Sequence, residues 1–373
     1  MRNLVVDLGA LRQNVRTLTA AMGDVPIYGV CKGNGFGMGL VPFAQTLLEE
    51  GIETLAVASI DDAAALRQAG ISCDILMLSS TSLPAEVQRI LELDLIASLG
   101  SVSAVELLEE AAARAGRPVR AHIKLDTGFG RFGFLPGQEV LCARALCGAP
   151  HIEIEGVFSH FSRSFSNAST TADQLALFSR MTGALEREGL FLGTQHIANS
   201  CGALLHPQTR LDAVRIGSAF VGRLPMPSPL PLTRIGRFEC EVAELHELPR
   251  GHNVGYTNVY HTRRPTRTAI LTAGVADGLG HTRGKDAFRP IDRIRYLWHG
   301  VKGLFGNQAL RCTIRGRSVP TIGRIGMTNT IVDVTDLPQV AVGDIAVFDI
   351  NPLFVDSAVP RRYIDEPKKE AGQ

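Results

Sequence analysis

One lysine stands at the end of an apolar run and directly before a glycine-rich segment. The run covers residues 27–31, and Lys32 follows it within the stretch VCKGNGFGMG. Lysine is usually a solvated surface residue, so a lysine that ends a buried strand needs a physical reason. Three kinds of chemistry fit the pattern: a phosphate clamp, a covalent anchor for a carbonyl cofactor, or an ordinary charge beside a flexible turn.

Other polar residues also stand where short apolar runs end. They are Lys124 and Asp126, Arg131 in the turn DTGFGRFG, His160, Asn199, Ser200 and Arg215. In the segment RIGSAFVG the backbone N–H groups of Gly217 and Ser218 would open a helical turn, which suits an anion such as phosphate. The alternative is a loop of small residues that permits tight packing, and spacing alone does not decide between the two.

The elements that must position these residues alternate between strands and helices. Eight apolar runs are predicted as strands, over residues 27–31, 54–59, 74–79, 94–98, 119–125, 152–158, 194–198 and 212–216. Most are separated by segments with apolar residues at three- and four-residue spacing, which is typical of amphipathic helices. Eight strand–helix units in about 220 residues predict a (β/α)₈ barrel of the TIM type, with its site at the carboxyl ends of the strands. A doubly wound open sheet is the alternative, but its GxGxxG fingerprint is absent after the first of these runs.

The composition changes after the proline-rich segment PMPSPLPLT at residues 225–233. Proline-rich connections are typical of domain boundaries. Beyond it come alternating runs such as RTAILTAGVA and DIAVFDI, and we expect no long helix there. The sequence therefore predicts an α/β barrel domain over residues 1–232 and a C-terminal all-β domain over residues 233–373.

Charge and cysteine content limit the classes of partner. The 38 basic and 37 acidic residues give a formal net charge of +1, which offers no argument for nucleic acid or an anionic membrane. The N-terminal stretch MRNLVVDLGALRQN is too polar for a signal peptide. The seven cysteines contain no CxxC pair, so we expect reduced thiols and no structural metal. We expect a cytoplasmic protein that acts on a small molecule.

The position of Lys32 in a barrel favours the covalent anchor. A lysine at a strand end, opposite a phosphate site, can form a Schiff base with a carbonyl cofactor such as pyridoxal 5′-phosphate (PLP). A nearby Arg215 would lower the lysine pKa, because like charges disfavour the ammonium form. A phosphate-binding P-loop needs GxxxxGK[ST], which is absent here. The glycines argue against a lysine that merely lies along the rim, because they let backbone approach a ligand closely.

The motifs around these residues resemble the alanine racemase family over nearly the whole chain. The matching segments include VVDLGALRQNVRTL, VCKGNGFGMG, KLDTGFGRFGF, HIANSCGALLHP, DAVRIGSA, VGYTNVY and VPRRY. The resemblance implies a PLP-dependent isomerase of fold type III that racemises or epimerises a small or mid-sized amino acid at its α-carbon. It also implies a homodimer whose active sites are shared between subunits.

The resemblance further implies roles for single residues. Lys32 corresponds to the Schiff-base lysine and one of two racemase bases, Arg131 to an arginine near the substrate carboxylate, and Arg215 to the arginine on the pyridine nitrogen. The other implied cofactor contacts are Phe36, His160, Asn199, Ser200, Gly217 and Ser218. The resemblance also counts His160 among the catalytic residues and Met327 among the substrate contacts. Lys124 stands where family members often carry a carbamylated lysine. Because a guanidinium keeps its proton, Arg215 would leave the ring nitrogen unprotonated, which favours racemisation over decarboxylation.

Several positions depart from the family pattern. Val275 in GVADGL stands where the family has its second catalytic tyrosine, and Phe36 stands where a tyrosine hydroxyl meets the phosphate. Met38, Thr328 and Ser357 replace a histidine, an aspartate and a second tyrosine. Valine cannot transfer a proton, and removing a general base typically costs about 10²–10⁴-fold in rate.

These departures leave three interpretations open. The first is a racemase with a substitute acid–base, for which His281, Tyr256 and Cys201 are the candidates. The second is a PLP enzyme with another outcome, namely one-face proton exchange, aldol cleavage, decarboxylation or transamination. The third is a non-catalytic homologue that binds PLP. The retention of the charged residues argues against the third. The less polar pocket implied by Val275, Phe36 and Leu279 indicates a bulkier or more apolar substrate than alanine.

Overall fold

The chain forms two compact units. The structure, a computed structural model, describes residues 1–282, 288, 290–305 and 309–365. One unit contains Asp7–Ile235 with Asp365, and the other contains Met1–Val6 with Gly236–Ile364. The division lies close to the expected boundary at residue 232, but the first six residues belong with the C-terminal unit rather than with the barrel. The apolar run Leu4–Val6 was not among the eight predicted strands, and in the structure it pairs with residues 236–238 of the C-terminal unit.

Eight parallel strands form the barrel unit, which is described throughout. They are the eight predicted strands: β2 (Ile27–Val30), β3 (Thr54–Val57), β4 (Asp74–Met77), β5 (Ala97–Leu99), β6 (Val119–Lys124), β7 (Ile152–Phe158), β8 (Thr194–His196) and β9 (Val214–Ile216). They pair in the orders β4-β3-β2-β9 and β5-β6-β7-β8. Hydrogen bonds of Ile96 with Ile75 and Met77, and from the Arg215 N–H to the Ala198 carbonyl, close the ring. The predicted TIM-type barrel is confirmed.

Helices alternate with these strands. They are α1 (Leu8–Met22), α2 (Leu40–Glu49), α3 (Ile60–Gln68), α4 (Pro84–Glu92), α5 (Val102–Ala115), α6 (Glu139–Cys147), α7 (Ala168–Arg187) and α8 (Ser200–Leu205). Polar N-cap side chains stabilise several starts, since the Ser59 and Ser101 hydroxyls each accept the backbone N–H three residues on.

The C-terminal unit is built on antiparallel sheet. Its strands are β1 (Arg2–Asp7), β10 (Gly236–Leu248), β11 (Thr266–Leu271), β12 (Arg311–Ile314), β13 (Arg317–Pro320), β14 (Thr330–Asp333), β15 (Ile345–Phe348) and β16 (Arg361–Ile364). The long strand β10 is its centre: its first half pairs with β1 and β15, and beyond a bulge between Val242 and Glu244 it pairs with β11. The predicted C-terminal β domain is confirmed.

One helix in this unit was not expected. Helix α9 spans Pro290–Phe305, so the prediction of no long helix beyond the proline-rich segment is wrong. Gly300 and Gly303 reduce its intrinsic helix propensity, and the alternating runs around it dominated the sequence pattern. No helix within the described residues is long and apolar enough to cross a bilayer.

Candidate active site

The charged residues predicted from the sequence meet at the carboxyl ends of the barrel strands. Lys32 follows β2, Lys124 ends β6, His160 follows β7, and Arg215 lies within β9. Nη2 of Arg215 is 3.4 Å from Nδ1 of His160. The Lys124 ammonium and the Arg215 guanidinium both lie beside the Phe158 ring, at 4.8 Å and 5.0 Å from its centre. The barrel thus gathers these four side chains from four separate strands.

Lys32 begins a turn of left-handed backbone. The φ angles of the next residues are 62° at Gly33, 54° at Asn34, 60° at Gly35 and 58° at Phe36. Only glycine, and less often asparagine, adopts this region readily, so the composition of the segment follows from its conformation. The Asn34 side chain accepts the Leu40 N–H at 2.8 Å and ties the turn to helix α2. The glycines therefore serve a fixed turn, and Phe36 is held in a backbone conformation that bulky residues rarely adopt.

The electrostatic surroundings favour the neutral form of Lys32. Its side chain is solvent-accessible, yet the surrounding protein removes enough water that desolvation lowers its pKa, and the cations of Arg131 and Arg215 lower it further. A lowered pKa increases the fraction of neutral amine near neutral pH. A neutral lysine amine is the form that attacks a carbonyl or accepts a proton.

Arg215 has a buried guanidinium whose Nε–H donates to none of the described residues. Only 3% of the residue is exposed. Nη1 donates to Nδ1 of His196 at 2.5 Å, and Nη2 donates to the carbonyls of Ser159 at 2.5 Å and Ile197 at 3.1 Å. Among the described residues none accepts its Nε–H. Burial lowers the pKa of Arg215 to about 9, so the group keeps its charge at neutral pH.

Two histidines behind Arg215 extend this network into the barrel core. Because arginine can only donate, His196 must accept at Nδ1 and carry its proton on Nε2, which then donates to Nδ1 of His122 at 2.9 Å. Burial, and then the Arg215 charge, lowers the pKa of His122 to about 4 and holds that of His196 well below its usual range. The sequence reasoning missed both residues, because a histidine inside an apolar strand is usually an ordinary core residue.

A rigid turn presents Arg131. The Asp126 carboxylate accepts the backbone N–H groups of the next turn, at 2.8 Å from Gly128, Phe129 and Gly130 and at 3.0 Å from Arg131. Desolvation opposes ionisation of Asp126, but these hydrogen bonds outweigh it and lower its pKa. The Arg131 guanidinium lies 4.5 Å from the Phe129 ring centre. Asp126 therefore positions Arg131 rather than neutralising it.

The predicted phosphate residues also lie together. The Gly217 N–H donates to the Ser200 hydroxyl at 3.1 Å, and Ser200 opens helix α8, which the Asn199 side chain caps. An added Cβ on Gly217 would lie 2.5 Å from Cζ of Phe36, so only glycine leaves room at this point. Ser218 follows Gly217 and is half-buried. These residues bring N–H and O–H donors to one helix start, which is the chemistry that a phosphate requires.

The remaining predicted positions lie in the β unit. The Val275 N–H donates to the Gly326 carbonyl and the Ala276 N–H to the Met327 carbonyl, each at 2.9 Å. Val275 is 40% exposed and Met327 is 74% exposed, so both side chains lie on the surface of this unit. Asp277 fixes the segment by accepting the Gly274 N–H at 2.9 Å. These two hydrogen bonds hold the backbone segments of Val275 and Met327 side by side within the β unit.

The three candidates for a substitute acid–base differ in their surroundings. Cys201 is buried in helix α8, and burial raises the pKa of its thiol. Tyr256 is 71% exposed, in a short 3₁₀ turn of the β unit. His281 is also exposed in that unit. Cys201 would therefore be a protonated thiol at neutral pH, whereas the other two are accessible to solvent.

Comparison with known proteins decides the family. Residues 6–225 match the alanine racemase N-terminal domain and residues 235–352 match the alanine racemase C-terminal domain. The chain belongs to the alanine racemase family. It is 31% identical to the alanine racemase of Desulfovibrio desulfuricans over 91% of this chain and 86% of that one, and 33% identical to that of Symbiobacterium thermophilum over 91% and 85%.

Solved alanine racemase structures support the same conclusion. The enzyme from D-cycloserine-producing Streptomyces lavendulae has 28% identity, a TM-score of 0.83, and coverage of 98% of this chain and 97% of that one. The enzyme of Streptomyces coelicolor has 27% identity, a TM-score of 0.84, and coverage of 98% of both. Alanine racemase family enzymes depend on PLP, and this chain is a PLP-dependent racemase of that family. The predicted enzyme class and cofactor are confirmed, and the spare Nε–H of Arg215 fits an aromatic ring nitrogen.

Proposed function

We propose that this protein racemises a small or mid-sized amino acid, more apolar than alanine, with Lys32 as cofactor anchor and as the base on one face of the α-carbon. The observation that carries this proposal is the place of Lys32 at the carboxyl end of strand β2, where desolvation and the cations of Arg131 and Arg215 lower the pKa of its amine. PLP, when bound, supplies the carbonyl that takes up an amine and the ring that acidifies the α-hydrogen.

In this proposal each remaining residue binds the cofactor or the substrate, or orients a residue that does. Ser200, Gly217 and Ser218 donate to the cofactor phosphate, while Phe36 packs against Gly217 beside it. The Arg215 Nε–H donates to the ring nitrogen, and His196 and His122 hold that guanidinium in place. Arg131 and the Met327 backbone receive the substrate carboxylate. His160 and Asn199 support the site, since His160 is kept neutral by burial and the Arg215 charge, and Asn199 caps α8.

The site has an excess of positive charge that Lys124 could offset. Lys32, Arg131 and Arg215 all influence Lys124, and the nearby Asp126 is already engaged by backbone N–H groups. Desolvation, then the Arg215 charge, lowers the pKa of Lys124 to about 7. We propose that the neutral Lys124 amine attacks CO₂: an N–C bond forms, a C=O π bond becomes a carboxylate, and a proton leaves to solvent.

Carbamylation predicts a pH-dependent signal. With ¹³C-labelled bicarbonate, we expect a carbamate carbonyl resonance that Lys124→Met removes. Because only the neutral amine reacts, the signal should fall as the pH drops below about 7, where the amine becomes protonated. A signal that survives in the Lys124→Met protein, or its absence at pH 8, would contradict the assignment.

Incubation of candidate L-amino acids in D₂O tests the racemase assignment. We expect the preferred substrate to give deuterated D-product, because inversion requires solvent-derived hydrogen on the opposite face. Deuterium that enters with retained configuration would instead indicate one-face exchange, and PLP loading without any exchange would indicate a binding protein. Chiral chromatography with mass spectrometry distinguishes these results. Repeating the screen with Cys201→Ser, Tyr256→Phe and His281→Gln identifies the substitute acid–base.

Val275→Tyr is expected to increase alanine racemisation. The side chain is partly exposed, so a larger ring can be accommodated, and the new phenol restores a group that can transfer a proton. A general base contributes about 10²–10⁴-fold, so we expect a gain of at least 10²-fold in kcat for alanine. Val275→Phe is the matched control, since it adds the ring without the hydroxyl. An equal gain in both variants would show that shape rather than proton transfer limits the rate.

We also propose that the protein acts in the cytoplasm as a homodimer with shared active sites. The exposed Val275 and Met327 side chains support this, because substrate-contacting residues on the surface of the β unit need a neighbouring site to serve. Sedimentation of the full chain tests it, and a monomer that retains full activity would contradict it.

A further inference from the structure

Two phenylalanine rings flank the guanidinium of Arg131. The turn DTGFGRFG places Phe129 two residues before this arginine and Phe132 directly after it. The guanidinium carbon lies 4.5 Å from the centre of the Phe129 ring and 5.8 Å from that of the Phe132 ring. Both distances are within the roughly 6 Å at which the negative face of an aromatic ring attracts a cation. The two residues are 39% and 37% exposed, so their rings are not part of the barrel core.

The side chain of Arg131 has no acidic partner. Within the part of the chain that the structure describes, the only hydrogen bond of this residue is the one that its backbone N–H donates to Asp126. The Asp126 carboxylate is occupied by the backbone N–H groups of the same turn. The five N–H donors of the Arg131 guanidinium are therefore not used by the described residues.

We propose that Phe129 and Phe132 are positioning residues that orient Arg131 toward the substrate carboxylate. This rests on the function proposed above, in which Arg131 receives that carboxylate. A ring attracts the guanidinium through its charge and accepts none of its N–H groups in a conventional hydrogen bond. A carboxylate in the same place would neutralise the charge and occupy the fork that binds a substrate carboxylate with two hydrogen bonds. The rings thus restrict a long, flexible side chain and leave its donors available.

The turn that carries both rings is closed at its base. The Phe134 N–H donates to the Lys124 carbonyl and the Asp126 N–H donates to the Phe134 carbonyl, each at 2.9 Å. Inside the turn the Asp126 carboxylate accepts the Phe129 N–H at 2.8 Å. The Phe129 ring also meets the His160 imidazole edge-on, with ring centres 5.2 Å apart and planes at 73°. The Phe129 ring is therefore fixed relative to the site as well as to Arg131.

Phe129 is the more specific position to substitute. The Phe132 ring also lies 5.2 Å from the Lys124 ammonium, so a change there would act on two cations. Phe129→Leu keeps an apolar side chain but removes the ring face, whereas Phe129→Tyr keeps the ring. Phe191→Leu is the matched control, because Phe191 is 83% exposed and precedes β8 at the opposite end of the barrel.

Binding of butyrate to the PLP-loaded full-length protein measures how well Arg131 is oriented. Butyrate is a carboxylate without an α-amine, and butyramide is its neutral counterpart. By titration calorimetry we expect Phe129→Leu to weaken butyrate binding by about 2–10-fold, and Phe129→Tyr and Phe191→Leu to bind it like the parent protein. Butyramide binding should not differ among these proteins. In Phe129→Leu the KM for the preferred amino acid should rise by a similar factor while kcat changes less.

Unchanged butyrate affinity in Phe129→Leu would overturn the proposal. An equal loss in Phe129→Tyr, or a parallel loss of butyramide binding, would also overturn it, because the effect would then not depend on the ring face and the cation. Arg131→Gln separates this proposal from the proposed function. Butyrate binding that needs both Arg131 and the Phe129 ring, in a protein that racemises no amino acid, would support the positioning role and contradict the racemase assignment. Butyrate binding that is unchanged in Arg131→Gln would overturn the positioning role whatever the D₂O screen shows.

Discussion

Replacing Lys32 with alanine is expected to abolish the visible absorbance of the PLP-bound protein and essentially all racemisation. The substitution removes two proposed functions at once, because in our proposal the same amine anchors the cofactor and moves the proton on one face. Loss of a general base alone costs about 10²–10⁴-fold, so the loss of both functions should exceed that range. The fold should persist, because the Lys32 side chain is exposed and takes part in no hydrogen bond of the described residues.

Two measurements test whether Lys32 is the attachment site of PLP and whether the variant keeps its fold. Borohydride reduction of the parent protein, followed by peptide mass spectrometry, should place the PLP label on the peptide with Lys32. In Lys32→Ala no peptide should carry the label, while circular dichroism and the melting temperature remain close to the parent values. Label on the Lys124 peptide of the parent protein would show that the wrong lysine has been assigned.

Arg215→Lys is expected to reduce both stability and activity severely. Lysine keeps the positive charge but cannot reach the Ser159, His196 and Ile197 carbonyls together, since it presents one nitrogen instead of a planar fork. Each buried acceptor left without a donor costs about 1–3 kcal/mol, and a lysine that satisfies one of the three carbonyls leaves two, so the free energy of unfolding should fall by about 2–6 kcal/mol. The proposed donor to the cofactor ring nitrogen is lost as well.

Arg67→Lys provides the matched control for this prediction. Arg67 also donates to backbone carbonyls, those of Ile71, Cys73, Leu93 and Asp94, which precede β4 and β5 at the opposite end of the barrel. We expect a comparable loss of stability but unchanged kcat and PLP affinity in the folded protein. If Arg67→Lys impaired kcat and PLP affinity as strongly as Arg215→Lys, the effect at Arg215 would reflect stability alone.

The sequence predicts the barrel because local signals agree with the global fold. Each strand is a short apolar run, and polar N-caps such as Ser59 and Ser101 mark helix starts within the predicted order. The rim residues could be predicted for the same reason, since a charged residue directly after a buried run has no structural explanation. Lys32 was found in this way, whereas Arg215 stood out as a charged residue inside the last predicted strand.

What the sequence does not predict depends on contacts between distant residues. His122 and His196 look like ordinary core residues in the sequence, where they are 74 positions apart. The barrel brings Nδ1 of His122 to 2.9 Å from Nε2 of His196. The segment Arg2–Asp7 was assigned to the barrel domain because its pairing partner, β10, lies far along the chain. Helix α9 was missed because Gly300 and Gly303 lower its helix propensity and the alternating runs around it dominated the sequence pattern.

The pairing of the first strand with the C-terminal unit has a consequence for biosynthesis. Residues 2–6 pair with residues 236–240, so this apolar segment leaves the ribosome and waits for a partner made about 230 residues later. At typical rates of about 5–20 residues per second, this delay is roughly 10–50 s. During that interval Leu4, Val5 and Val6, all fully buried in the finished protein, are available to chaperones and to other nascent chains.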